Sequence, residues 1–331
     1  MEKNKKLTNR QFRRFFKDLK ELMKVYGEQS TKRHTDWKEY EKEYADRIRY
    51  VGKELNALAR SAITPILIKK SRYGRPPKMA VQQKVVALLL KSLFCESNRP
   101  MAGLMSLFGA FCGIDVSYKT IERLYSDEVV RVALHNMFVL AVRKKCDRKV
   151  DVTGDGTGYT LTVTKHYRTG VDKEGYRKFV YSFNLMDIKT KLYVCYGSGI
   201  KSEKEAFKNA MTMLRKVEKT AGITVNSARF DRYYSYQSTL NYFDDETILY
   251  ILPKSNTKIN GPSRWRKIFR RMVEDPLSYL IEYYGRENSE SGFSVDKRMA
   301  GWKIWQRRED RIDTAIGCIA TLHNLFRIGY G

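Results

Sequence analysis

Cysteine is scarce and scattered. The five residues, at positions 95, 112, 146, 195 and 318, form no C-x2-C pair. That excludes zinc-finger spacing, and an odd dispersed set makes no disulfide framework, so a reducing compartment is the expected setting. The four histidines, His34, His135, His166 and His323, are equally dispersed and mark no local metal site. No apolar run approaches the ~18 residues needed to span a bilayer. The N-terminal stretch carries charge throughout and lacks an apolar h-region, so no signal peptide is expected.

Acidic residues are also in short supply. Lys and Arg number 63 against 37 Asp and Glu, a net charge of +26. An ordinary metabolic enzyme rarely carries such an excess. The self-repulsion is relieved by a polyanion, and nucleic acid is the usual one. Disorder is excluded from the other side: 42% hydrophobic and 12% aromatic residues supply a sizeable core in a chain of 331.

Three regions differ in texture. Residues 1–78 hold a basic helical arm and linker. From Asn9 to Tyr26 basic residues alternate with Phe12, Phe15, Phe16, Leu19, Leu22 and Met23 at helical spacing, and a second helix is expected from about Trp37 to Ala59. The linker SRYGRPPKMA contains Pro76 and Pro77, which forbid a helix. Its GRPPK portion, presenting Arg75 and Lys78, fits either a minor-groove hook or a plain basic linker.

Residues 79–148 read as short helices with tight connections. VQQKVVALLLKSLFC is one, a second starts at Pro100, and SYKTIERLYSDEVV is a third with Ser117 as N-cap. A fourth falls at Val132–Val142. In this charge context the set suits a helix-turn-helix-like DNA-binding unit with Lys119 and Arg123 toward the DNA, with a plain bundle as the alternative.

At Lys149 the pattern turns to strands. Three are expected first, then alternating helix and strand, then helix from Tyr283 to the C-terminus. Such an order implies a mixed sheet flanked by helices over 149–331. A further helix is expected at Tyr234–Phe243.

Three acids stand out within it. Asp155 lies in GDGTG, where flanking glycines leave backbone open to a phosphate or metal. Asp151 shares its parity but lacks the glycines. Asp231 ends a strand, where α/β sheets place ligands. Glu290 belongs with Tyr283, Arg286 and Lys297 at offsets of 0, 3, 7 and 14, which fall within about 60° of one another on a helix. One ring, two cations and a carboxylate make a poor core face. They suit a metal-bound phosphodiester, with a base stacked on the ring. Trp265, Trp302 and Trp305, beside Arg264, Arg266, Arg270 and Arg271, are either core or a stacking surface.

On these residues the chain resembles the DDE transposases of insertion sequences, in the group bearing a Y-x2-R-x3-E-x6-K signature. Tyr283, Arg286, Glu290 and Lys297 match it in full, after GDGTG and Asp231 in the family order. The resemblance covers about residues 150–325. It implies an RNase H-like catalytic core in which Asp155, Asp231 and Glu290 are catalytic and bind two Mg²⁺ or Mn²⁺ ions. It implies hydrolysis at transposon ends, then attack of the freed 3′-hydroxyl on target DNA. Arg286 and Lys297 would hold phosphates and Tyr283 would contact DNA. Double-stranded DNA, as terminal inverted repeats and target, is the implied partner, with a homodimer in the complex, no membrane, and a cytoplasmic, nucleoid-associated setting. The 59 residues between Asp231 and Glu290 depart from members that carry a large β-rich insertion there. A non-catalytic descendant that only binds DNA and an RNase H-like nuclease are the alternatives.

Overall fold

The computed structural model describes residues 7–29, 36–67, 77–112, 116–161, 179–254 and 257–328, with the side chains of 25–29, 108–112 and 288–291 outside that description. Helices fill the first part of the chain: α1 (Asn9–Gln29), α2 (Trp37–Ile63), α3 (Val81–Leu93), α4 (Asn98–Cys112), α5 (Tyr118–Leu124) and α6 (Glu128–Lys145). Their starts follow from local chemistry. The Asp36 carboxylate accepts the Lys38 N–H at 2.9 Å, Ser117 accepts from Thr120, and Asp127 accepts the Val129 N–H at 3.1 Å. Asp127 is also why SYKTIERLYSDEVV is not one helix: it caps α6, and the chain turns at Tyr125–Asp127.

Next come β1 (Lys149–Leu161), β2 (Phe179–Asp187), β3 (Tyr193–Gly199), α7 (Glu203–Val217), β4 (Thr224–Phe230) and β5 (Ile248–Ile251). They are followed by α8 (Ser263–Glu274), α9 (Pro276–Tyr284), α10 (Glu287–Ala300), β6 (Lys303–Ile304) and α11 (Glu309–Ile328). The sheet runs β3-β2-β1-β4-β5. β1, β2 and β3 pair antiparallel, whereas β4 lies parallel to β1 and β5 parallel to β4. The architecture is thus a mixed sheet flanked by helices, preceded by a helical region.

One expected helix is absent and another is interrupted. Residues 234–243 form 3-10 turns at Arg232–Tyr234 and Gln237–Tyr242. The Thr239 hydroxyl donates to the Tyr234 carbonyl at 2.8 Å, an example of the side-chain competition that a Ser- and Thr-rich stretch offers to a helix. The segment after Tyr283 is broken as well. α9 ends at Gly285, α10 ends at Gly301 with φ of 75°, and β6 intervenes before α11.

Burial is organised in two clusters. One joins α1, α7, α8 and α9 to the sheet through Phe183, Phe207, Phe230 and Tyr234. The other joins α2, α3 and α6 to α11 and to the far ends of β1 and β2 through Tyr159, Leu161 and Val180. α11 is therefore apolar on nearly every side. The helical region packs on α11, which lies against β3 and β2, and α8 and α9 lie by the β5 edge. α7 sits tightly on β3, because a Cβ on Gly197 would overlap the Ala210 backbone nitrogen. No described helix is long and apolar enough to cross a membrane.

Candidate active site

Asp155 and Asp231 come together in the middle of the sheet. β1 pairs with β4 up to Gly154↔Phe230, which sets Asp155 level with Asp231 just past the end of β4. β1 continues beyond β4, and β6, off the main strand order, pairs with it at Thr160↔Lys303. Between these two pairings the GDGTG segment lines a split in the sheet. Backbone freed from a ladder next to two carboxylates is a place a ligand can reach.

The electrostatics follow from that position. Burial pushes the Asp155 carboxyl up from 3.8 to about 6. The charges of Asp231 and Glu203 push the same way, while the Gly156 N–H, donated at 2.8 Å, and the Arg286 guanidinium oppose them. A carboxylate so placed gains from an added cation.

Glu203 is a feature that the sequence did not disclose. It opens α7, whose N-cap Ser202 accepts the Glu205 N–H at 3.2 Å. A Cβ on Gly156 would run into the Glu203 carboxylate, so this glycine makes room for an acidic side chain from another element. The Tyr234 hydroxyl donates to Glu203, and burial together with that carboxylate raises the Tyr234 pKa. As a helix-opening glutamate, Glu203 looks like any N-terminal acid in the sequence. The glycine after Asp155 was its one signal.

Asp151, the alternative to Asp155, is taken up in hydrogen bonds with Ser227 and with Asn226 at 2.8 Å. Its neighbour network holds the signature in place. Arg229 donates to the Glu282 carbonyl at 2.9 Å and pairs with the Glu282 carboxylate, tying α9 to β4. Thr153 donates to the Arg286 carbonyl at 3.3 Å, tying the α9–α10 turn to β1 two residues before Asp155.

The signature residues therefore do not share one helical stripe. Tyr283 ends α9, Arg286 lies in the turn, and Glu290 and Lys297 belong to α10, which packs across β1 and β2. Tyr283 is 2% exposed, so its ring is packed inside rather than presented as a stacking face. The Arg286 guanidinium stands 5.6 Å from that ring centre. The Glu290 side chain lies outside the described residues. Lys297 Nζ lies 4.4 Å from the ring centre of Trp302, and desolvation lowers its pKa.

The other expected contacts are spread out. Lys119 and Arg123 are exposed on α5, which Arg311 pins to α11 through Glu122. Lys78 is exposed, and Arg75 lies outside the described residues. Trp265 is core, donating to the Lys258 carbonyl at 3.0 Å. Trp305 donates to the Cys95 carbonyl at 3.0 Å, and Trp302 is 65% exposed.

Asp155 and Asp231 offer oxygen donors only, the chemistry of hard Mg²⁺ or Mn²⁺. Among the described residues no three His, Cys, Asp or Glu groups gather closely enough to hold an ion. Asp155 and Asp231 are by donor type compatible with such an ion, and the Glu290 side chain lies outside the described residues.

The chain is similar to a probable transposase for insertion sequence element ISA1214 from Archaeoglobus fulgidus. The two are 44% identical over 295 residues, 89% of this chain and 88% of the relative. The chain belongs to this family of insertion-sequence transposases. No family model matches the sequence. Membership in a transposase family implies DNA binding, which accords with the excess of positive charge.

Proposed function

We propose that the chain is a DNA transposase that hydrolyses the strand at its element's ends and joins the freed 3′-hydroxyl to target DNA. The observation that carries the reading is the Asp155–Asp231 pair, level on neighbouring parallel strands at a split in the sheet, in a chain of transposase ancestry. The strand order β3-β2-β1-β4-β5, antiparallel then parallel, supports an RNase H-like core. Asp155, Asp231 and Glu290 would hold two Mg²⁺ or Mn²⁺ ions. Bound there, the ions would polarise the phosphoryl group and lower the pKa of the attacking water or hydroxyl.

The chain's own groups do the rest. Asp155 and Asp231 keep an anionic pocket that attracts cations and repels an unneutralised phosphate. Arg286, the cation nearest Asp155, is suited to hold a non-bridging phosphate oxygen through its fork of donors. Lys297, leaning on Trp302, would hold a phosphate beside the cleaved end. Lys78, Lys119 and Arg123, with Arg75, would serve the terminal repeat, and two chains would bring two ends together.

The test is strand cleavage on duplexes taken from the DNA bracketing the reading frame. Wild type is expected to nick at a fixed position in Mg²⁺. Asp155→Asn, Asp231→Asn and Glu290→Gln should each abolish nicking while binding persists. Full activity in one variant removes that residue from the site. Salt-sensitive binding without any cleavage would make the protein a DNA-binding descendant instead.

A further inference from the structure

Two basic helices far apart in sequence meet at the β5 edge. α1 buries Phe12, Phe16 and Leu19, and α8 buries Trp265, Ile268, Phe269 and Met272. The Phe12 ring meets Phe269 edge-on with centres 4.9 Å apart, and Asn9 accepts the Ile259 N–H at 3.1 Å. Burying the apolar stripe of each helix turns its other side to solvent. Together the two helices carry 11 Lys and Arg against 4 acids. Arg13, Arg14 and Lys17 of α1 and Arg266, Arg270 and Arg271 of α8 are exposed, and among the described residues none is in an ion pair. A solvated structural face mixes its charges. This one carries a clear excess of positive charge, with Asp18, Glu21 and Glu274 among its exposed acids, and a row of phosphates neutralises that excess.

The surface leads to the acidic centre. The guanidinium of Arg232, the residue after Asp231, lies 3.5 Å from Met23 Sδ on α1. With 21 residues, α1 is about 31 Å long, the length of about nine base pairs. The helical region with Lys119 and Arg123 packs on α11, which lies against β3, on the other side of the sheet from α8. Asp155 on β1 and Asp231 after β4 fall between those two sides. A scissile phosphate joins the element's end on one side to foreign DNA on the other.

We propose that α1 and α8 form a sequence-independent phosphate-binding surface for the duplex outside the element: the flank before cleavage and the target at joining. This rests on the transposase reading, with the helical region on the element's own end. The two strongest features elsewhere, the mixed-charge groove between α6, β3 and α11 and the buried His323–Asp296 pair, name no partner of their own.

The test is fluorescence anisotropy in EDTA with three duplexes: the terminal sequence ending at the cleavage point, the same extended outward by about 15 base pairs, a length chosen to exceed the α1 span, and an unrelated sequence. Wild type should bind the extended duplex more tightly than the trimmed one. R266E/R270E/R271E, and separately R13E/R14E/K17E, should weaken the extended and unrelated duplexes by about 10- to 100-fold and leave the trimmed one within about twofold. The salt slope on the extended duplex should fall by about 0.9 for each phosphate lost. Equal loss on the trimmed duplex, no loss on any, or no wild-type preference for the extension overturns the proposal. The R266Q/R270Q/R271Q variant replaces any swap that fails to fold. Failure of the transposase reading appears separately, as wild type that neither prefers terminal sequence nor nicks it in Mg²⁺.

Discussion

Asp155→Asn should make the metal-free protein more stable while removing its activity. In the folded chain the carboxyl has a pKa of about 6 against an ordinary 3.8. At 1.36 kcal/mol per pKa unit, holding it ionised in the fold costs about 3 kcal/mol. The sign follows from proton binding. The folded state holds this proton more tightly than the unfolded chain, so the penalty is absent below 3.8, grows as pH rises to about 6, and is complete above that. Asparagine keeps an oxygen for the Gly156 N–H but carries no charge, so it escapes the penalty. For a chain of 331 residues, 3 kcal/mol corresponds to about 4 °C in Tm. Scanning calorimetry in EDTA should find Asp155→Asn about 4 °C above wild type at pH 8, with about half that gap at pH 5 and almost none at pH 4. Mg²⁺ should raise the wild-type Tm and leave the variant unmoved. A variant no more stable than wild type at pH 8, or a gap independent of pH, would refute the reasoning.

Glu203→Gln removes a negative charge beside Asp155, so the Asp155 pKa should fall, as ¹³C-carboxyl titration would register. Gly156→Ala drives the Glu203 side chain aside and breaks the bond it accepts from the buried Tyr234 hydroxyl, so urea unfolding should show a loss of about 1–3 kcal/mol. Gly197→Ala sets a Cβ against α7 backbone, which cannot yield, and should cost about 3 kcal/mol in the same assay. His323 is fully buried, with Nδ1 2.6 Å from Asp296 and Nε2 2.9 Å from the Lys191 carbonyl, and Tyr193 donates to Asp296 at 2.7 Å. His323→Leu should cost about 1–3 kcal/mol, because it takes one hydrogen-bond partner each from the buried Asp296 carboxyl and the Lys191 carbonyl. No loss in urea unfolding would speak against those bonds.

Legibility in the sequence tracked whether a feature was local. Asp231 could be found because a strand of Val, Ala and Phe ends on it, and Asp155 because glycines flank it. The reason for one of those glycines could not, since Gly156 answers to a side chain 47 positions along the chain, at Glu203. The signature was visible as spacing, but spacing assumed one helix. Gly285 and the ties from Arg229 and Thr153 bend the chain there, which sends Tyr283 into the core. The basic run from Asn9 to Tyr26 was plain as a helix. That its apolar stripe docks on α8, beyond the strands that carry Asp155 and Asp231, is a tertiary fact that helical periodicity does not carry.

The most direct test of the central claim is Mn²⁺ anomalous scattering from crystals of the protein. The account predicts anomalous density about 2.1 Å from carboxylate oxygens of both Asp155 and Asp231, with Glu290 as a further ligand, and its loss in Asp231→Asn. Density located elsewhere, or Asp155 and Asp231 held too far apart to share an ion, would contradict it.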